Sequence, residues 1–214
     1  MAFKNRADAA HQLAQRLIRH RGGNPVVLGV PRGGVPMARI VADALGGELD
    51  VILVRKIGAP YNPEYAVGAV DEAGTITLTD FGREQAPRDY IQAEARRQID
   101  LIRRRRHLYT PARSPVDLSG RLVIVVDDGI ATGASMLAAV RAVRRQNPRE
   151  LIVAVPVAAP DSLIAIRREV DEVVCLLAPV PLLAISGFYE EFSTVPDDDV
   201  TAALSGSVAP APAT

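Results

Sequence analysis

Five short runs of this chain are apolar from end to end: residues 26–30, 51–54, 122–126, 151–155 and 173–177. A strand with one wet face alternates polar and apolar side chains, so a strand that is apolar throughout must be covered on both faces. Helix-period segments fall between these runs, at about residues 5–20, 35–45, 135–146 and 161–169, and in the first of them Ala10, Leu13, Ala14, Leu17 and Ile18 make one apolar face. Strand, helix and strand in alternation lead to parallel pairing through right-handed crossovers, with helices on both sides of the sheet. The expected fold is α/β, a doubly wound, mostly parallel sheet.

Two stretches depart from that alternation. Residues 58–63 read as a loop, followed by a hairpin of residues 65–70 and 75–79. A polar, Arg-rich helix is expected over 88–107, inside a helical insertion spanning 80–119. With 214 residues, 48% hydrophobic and 23% charged, the chain can bury a sizeable core, and we expect a single domain over 1–204. The small, Pro-containing tail 205–214 is expected to be disordered.

Charge narrows the classes of partner. Lys plus Arg equal Asp plus Glu, 25 against 25, so no overall excess steers the molecule to nucleic acid or to an anionic membrane. The uncharged run 173–189 is broken by Pro179, Pro181 and Gly187, and reads as a buried strand and then a loop rather than a membrane span. The start Met1-Ala2-Phe3-Lys4-Asn5-Arg6 lacks the pattern of a signal peptide, and the single Cys175 has no partner for an intramolecular disulfide; both point to the cytoplasm. His11, His20 and His107 have no metal-ligand spacing and read as surface residues.

The strongest chemical signal follows the run 122–126: Asp127-Asp128-Gly129-Ile130-Ala131-Thr132-Gly133-Ala134-Ser135. Ligands of such sheets bind beyond the carboxyl ends of the strands. Asp127 and Asp128 can accept hydrogen bonds from a vicinal diol, and their hard oxygens suit magnesium, directly or through water. Thr132 to Ser135 offer successive N–H groups at a helix N-terminus, with Gly133 permitting close approach, so a phosphate fits there. A ligand with a phosphate a few ångströms from a diol is a ribose 5-phosphate. A Walker A loop, a Rossmann glycine triplet and a G-x-S-x-G elbow are all absent.

Hydrophobic strand, acidic pair, Thr-Gly and a hydroxyl residue together resemble the motif that binds 5-phosphoribosyl-1-pyrophosphate (PRPP) in type I phosphoribosyltransferases. The resemblance implies PRPP binding by Asp127, Asp128, Ala131, Thr132, Gly133, Ala134 and Ser135. It extends over roughly residues 26–191, interrupted by the Arg-rich helix. Gly29-Val30-Pro31-Arg32-Gly33-Gly34 resembles the family's pyrophosphate loop, which implies that Arg32 and Gly33 meet the leaving group and makes Pro31-Arg32 the candidate for the family's cis peptide. Arg55-Lys56-Ile57-Gly58 and Asn62-Pro63-Glu64-Tyr65 resemble the adenine phosphoribosyltransferases, as does Ala178-Pro179-Val180-Pro181 ahead of Tyr189-Glu190. That likeness implies that Arg55 and Lys56 contact PRPP, that Lys56 neutralises pyrophosphate, and that Glu64 helps a base nitrogen lose its proton under a loop closing over about residues 57–74. Lys56, Glu64 and Arg32 are therefore the candidate catalytic residues, magnesium the cofactor, and a purine-like base the acceptor, as in purine salvage. A homo-oligomer, a dimer in the simplest form, is the implied assembly.

The departures are informative too. Ala131 stands where hypoxanthine-guanine enzymes have an aspartate that contacts the purine. Adenine enzymes lack an insertion like 80–119, and the overall pattern is similar to predicted bacterial phosphoribosyltransferases of unassigned substrate. Arg103-Arg104-Arg105-Arg106 keeps open a second reading, a PRPP-sensing regulator that binds RNA, although four adjacent arginines spread around a helix instead of forming one face. Phe188, Tyr189 and Phe192 can either stack on a heterocycle or pack as core.

Overall fold

The computed structural model describes residues 2–79, 82, 84, 86–111 and 113–206, with backbone alone at 63 and 64. The apolar runs form a parallel sheet of β1 (Val26–Gly29), β2 (Glu48–Val51), β6 (Leu122–Val126), β7 (Glu150–Val157) and β8 (Glu172–Leu177), in the order β2-β1-β6-β7-β8. From β1 the chain steps outward to β2, and from β6 it steps the opposite way to β7 and β8. The order therefore reverses between β1 and β6, where a crevice opens beyond the strand ends.

Side chains alternate between two cores, as the strand period requires. Leu122, Ile124 and Val126 of β6 face one core with α1 (Arg6–Arg16) and α2 (Gly34–Leu45), whereas Val123 and Val125 face the other with α4 (Ala134–Arg144) and α5 (Pro160–Arg167). All five β6 residues are buried. Asn5 caps α1 by accepting a hydrogen bond from the Asp8 N–H at 3.0 Å.

A second sheet, antiparallel, joins β3 (Val54–Ala59), β4 (Asn62–Asp71) and β5 (Ile76–Leu78). The long helix α3 (Arg88–Tyr109) packs against β3 and β4. A short helix α6 (Asp197–Ser205) lies on α2, burying Val200 and Leu204.

Several expectations need correction. The apolar run 51–54 is two strands and not one: Val51 ends β2, Val54 begins β3, and Ile52 and Leu53 are buried between them, the Ile52 N–H donating to the Gly29 carbonyl at 3.1 Å. Burial alone made that run look continuous. Residues 58–63 are not a loop, because β3 gives β4 a partner and only Pro60 and Tyr61 turn between them, with bulges at Gly58. The segment 57–74 is accordingly mostly paired strand. Ile18 is exposed, since the α-helix stops at Arg16 and the 3₁₀ turn Ile18–His20 rotates that side chain away from the core. β8 is half-buried, as expected of a strand paired on one edge, rather than fully buried. Ser205 closes α6 instead of opening a disordered tail. Residues 207–214 of the expected tail, and 80, 81, 83, 85 and 112 of the expected insertion, lie outside the described residues. Among the described residues no helix is long and apolar enough to cross a membrane.

Candidate functional site

β6 carries Asp127 and Asp128 to the mouth of the crevice, where both are half-buried. Asp127 Oδ1 accepts the Asp128 N–H at 2.9 Å. Desolvation, reinforced by the Asp128 charge, pushes the Asp127 carboxyl well above the usual carboxylate range. Desolvation also raises Asp128, against the opposing pull of Arg6. Two carboxylates held in this way call for positive charge.

Arg6, on the first turn of α1, supplies some of it. Its Nε donates to Asp128 Oδ2 at 2.8 Å, Nη2 stands 2.8 Å from the same oxygen, and Nη1 donates to the Ser193 carbonyl at 2.7 Å. The guanidinium lies 3.8 Å from the centroid of the Phe192 ring, a cation–π arrangement. Tyr189 donates its hydroxyl to the Asp128 carbonyl at 2.7 Å and packs between Phe3 and Phe192, so the aromatic residues near the site pack on one another.

After the acidic pair the chain turns into α4 through Gly133, whose φ of 75° lies in the left-handed region that side chains disfavour. No side chain caps α4, so its first-turn N–H groups are open to a ligand. Ser162 at the start of α5 donates to the Ala131 carbonyl at 2.7 Å and fixes the outer limb of the turn. Asp127 and residues 129–136 line a cavity of about 200 Å³. Ala131, Thr132 and Ser135 are exposed on it, with Ala134 half-buried.

The loop after β1 lies against this turn. Its Pro31-Arg32 peptide is cis. A Cβ on Gly33 would stand 1.9 Å from Asp128 Oδ2, and one on Gly34 would stand 2.5 Å from the Val126 carbonyl oxygen. Only glycine allows the two loops to touch. Arg32 is half-exposed and makes no ion pair with any described residue; the same holds for Arg105 of α3. Burial and a hydrogen bond to Asp197 raise the Tyr109 phenol to about 12, and both Arg105 and Arg32 act against that rise. Two unpaired guanidiniums thus share the neighbourhood of Tyr109.

The structure brings Arg32, Gly33, Asp127, Asp128 and the turn 131–135 together. It does not bring Arg55 to the turn. Successive residues of β3 point to opposite faces, and Arg55 donates to Gln98 of α3 at 2.5 Å, where burial and then Arg105 lower its pKa. Lys56 is exposed on the other face. The side chain of Glu64 lies outside the described residues. Sequence reasoning missed Arg6 and Ser162 as neighbours of the site, because nothing local separates them from surface residues of their helices.

Comparison with known proteins agrees with this geometry. The chain matches the phosphoribosyl transferase domain family over residues 2–182. It is 41% identical over 204 residues to the Mycobacterium tuberculosis protein named "Putative phosphoribosyl transferase Rv0571c", covering 94% of this chain and 46% of that one. It is 30% identical over 139 residues to an adenine phosphoribosyltransferase of Mycobacterium avium, covering 65% of this chain and 59% of the other. The chain thus spans about half the length of the curated relatives it matches. The crystal structure of TT1426 from Thermus thermophilus superposes with a TM-score of 0.85 at 45% identity, covering 98% of this chain and 100% of that one. A parallel sheet with its reversal between β1 and β6, an acidic pair and a glycine turn at that point, and a family match over most of the length carry one conclusion: the chain belongs to the phosphoribosyl transferase domain family.

Proposed function

We propose that the chain binds PRPP with magnesium and transfers its phosphoribosyl group to a nitrogenous acceptor, releasing pyrophosphate. The observation that carries this reading is the contact of two loops, in which Gly33 beside Arg32 touches Asp128 while Asp127 opens the uncapped turn of α4. The turn suits the 5-phosphate, the carboxylates suit the ribose diol, and the loop after β1 suits pyrophosphate.

The donor set also fits magnesium, since it offers two hard carboxylates whose ionised forms are disfavoured by desolvation and, at Asp127, by the neighbouring charge. Bound magnesium would neutralise charge on the departing pyrophosphate. The acceptor nitrogen attacks C1, the bond from C1 to the pyrophosphate oxygen breaks with its electron pair on oxygen, and the nitrogen sheds a proton. Positive charge grows on the sugar, as in glycosyl transfer. Arg32 is assigned to the negative charge that leaves, and a fixed cation there needs no rearrangement during the step. Lys56 and Glu64 keep the roles that the resemblance implies, with Lys56 at the pyrophosphate and Glu64 on the acceptor side.

Adenine, or an adenine-like purine, is the proposed acceptor class, because position 131 is alanine where a carboxylate would favour 6-oxopurines, and because an adenine enzyme is among the relatives. The test is a screen of purines, pyrimidines and other amines with PRPP and magnesium, following pyrophosphate. Release that depends on one acceptor class supports transfer. PRPP binding without acceptor-dependent release would instead favour the sensing role.

A further inference from the structure

The opposite edge of the sheet holds a group of side chains that the donor chemistry does not use. Glu150 opens β7 and Glu172 opens β8, so both lie at the amino ends of the strands, away from Asp127. Ile152 is the register partner of Glu172, and Glu150, two residues earlier, shares the face of Ile152. That face packs on Leu13 and Leu17, and the chain that leaves Leu17 turns through Ile18–His20 and brings the imidazole of His20 onto the same edge.

One ring nitrogen of His20 and one carboxylate oxygen from each of Glu150 and Glu172 lie within 4.8 Å of one another. His20 is not the surface residue expected: its side chain is only 12% exposed, and its Nε2 is buried with no hydrogen-bond partner among the described residues. It stands 3.8 Å from Glu172 Oε2. Glu150, half-buried, makes no hydrogen bond or ion pair through its side chain with any described residue. Arg19 pairs with Glu172 from the rim, but its side chain is 58% exposed and can turn to water. A buried imidazole nitrogen without a hydrogen-bond partner, beside two carboxylates that share the charge of one exposed arginine, is an arrangement that a cation within the group completes.

We propose that His20, Glu150 and Glu172 bind a first-row transition-metal dication such as zinc at the amino edge of the sheet. One imidazole nitrogen and two carboxylate oxygens are a ligand set that zinc accepts, with water filling the remaining position. Magnesium prefers oxygen ligands throughout, so the site is chemically distinct from the Asp127-Asp128 pair. Its three ligands come from the 3₁₀ turn, β7 and β8, so an ion there would join α1 to the outer strands. No catalytic step is assigned to it.

The test titrates zinc into the full chain by calorimetry with magnesium in excess, which keeps the acidic pair from reporting, alongside His20→Gln, Glu150→Gln and the control His11→Gln. One zinc per chain is expected, weakened by roughly tenfold or more in His20→Gln and Glu150→Gln, on the scale seen when a metal's immediate surroundings are altered, and unchanged in His11→Gln. Cobalt should give a visible absorption band that both site variants lose. Circular dichroism checks that the variants fold, and Glu150→Gln, with no hydrogen bond to break, is the safer of the two. Absence of a zinc event, or an event that survives both substitutions, would overturn the site. Because readout is binding and spectrum, failure here leaves the phosphoribosyl transfer reading standing, and failure of the acceptor screen leaves this site standing.

Discussion

Asp128 is held at three polar atoms, Oδ2 by Arg6, the carbonyl by Tyr189 and the N–H by Asp127. Such fixing means that a substitution there tests binding more than folding. Asp128→Asn removes the anion that burial disfavours, and it also takes from Arg6 its carboxylate, so the two effects on stability oppose each other. We expect the unfolding midpoint to stay close to that of the parent chain while affinity for PRPP with magnesium falls roughly tenfold or more, about the worth of one charge-assisted hydrogen bond. Calorimetry alongside thermal unfolding decides this, and unchanged affinity would remove Asp128 from the ligand site. Arg32→Ala should lower turnover by roughly 10²–10³-fold, the scale of a lost preorganised charge contact, yet leave ribose 5-phosphate binding nearly intact, because that ligand lacks the pyrophosphate. Equal losses for both ligands would contradict the role given to Arg32.

At the scale of elements, α3 shows what the four adjacent arginines do. Consecutive helix residues are about 100° apart, so the run is dealt around the axis. Arg103 is left to solvent, with Asp100 at 3.7 Å, while Arg106 turns inward to Asp50 at 3.1 Å and to Glu72 at 2.7 Å. Asp50 is only 2% exposed and also accepts from Arg113 and from the Val116 N–H. Arg106→Met should therefore cost on the order of 3 kcal/mol by denaturant unfolding, the lower end for breaking a buried pair, since Arg113 still serves Asp50. Tyr109, at the end of α3, donates to Asp197 at the start of α6. Its phenol is raised from 10.0 to about 12, so the folded state holds this proton more tightly than the unfolded chain does. The stability it contributes is complete below about pH 10 and is lost as pH rises toward about 12. The stability gap between the parent and Tyr109→Phe should narrow across that window, and a gap independent of pH would show that the hydrogen bond contributes nothing through ionisation.

For the whole molecule, the acceptor is the main open chemistry. Single-turnover reactions with adenine, hypoxanthine and guanine should rank adenine first, and Glu64→Gln should slow the chemical step while PRPP affinity stays nearly unchanged. Preference for a 6-oxopurine, or full activity in the variant, would sink that assignment without touching the PRPP site.

What the sequence determined by itself was whatever depends on neighbours along the chain. Residues 122–135 specify strand, acidic pair, turn and helix start, because a fully apolar run must be buried on both faces and Gly133 is free to adopt a positive φ. The doubly wound α/β class, though not the strand order, follows from the same periodicities. Tertiary structure decided what depends on approach from elsewhere. The run 51–54 looked like one strand because burial is visible in composition and pairing is not; β2 ends and β3 begins only because different partners take each half. Arg55 and Lys56 are adjacent in sequence but lie on opposite faces of β3, so a pair read as a unit was divided by the pleat. Arg6 reaches Asp128 across 122 residues, and His20 meets Glu150 and Glu172 across a longer span. No local pattern encodes such meetings: the sheet order that closes them is fixed by the packing of both cores together, and a lone cation or imidazole on a helix carries no mark of what the fold will set beside it.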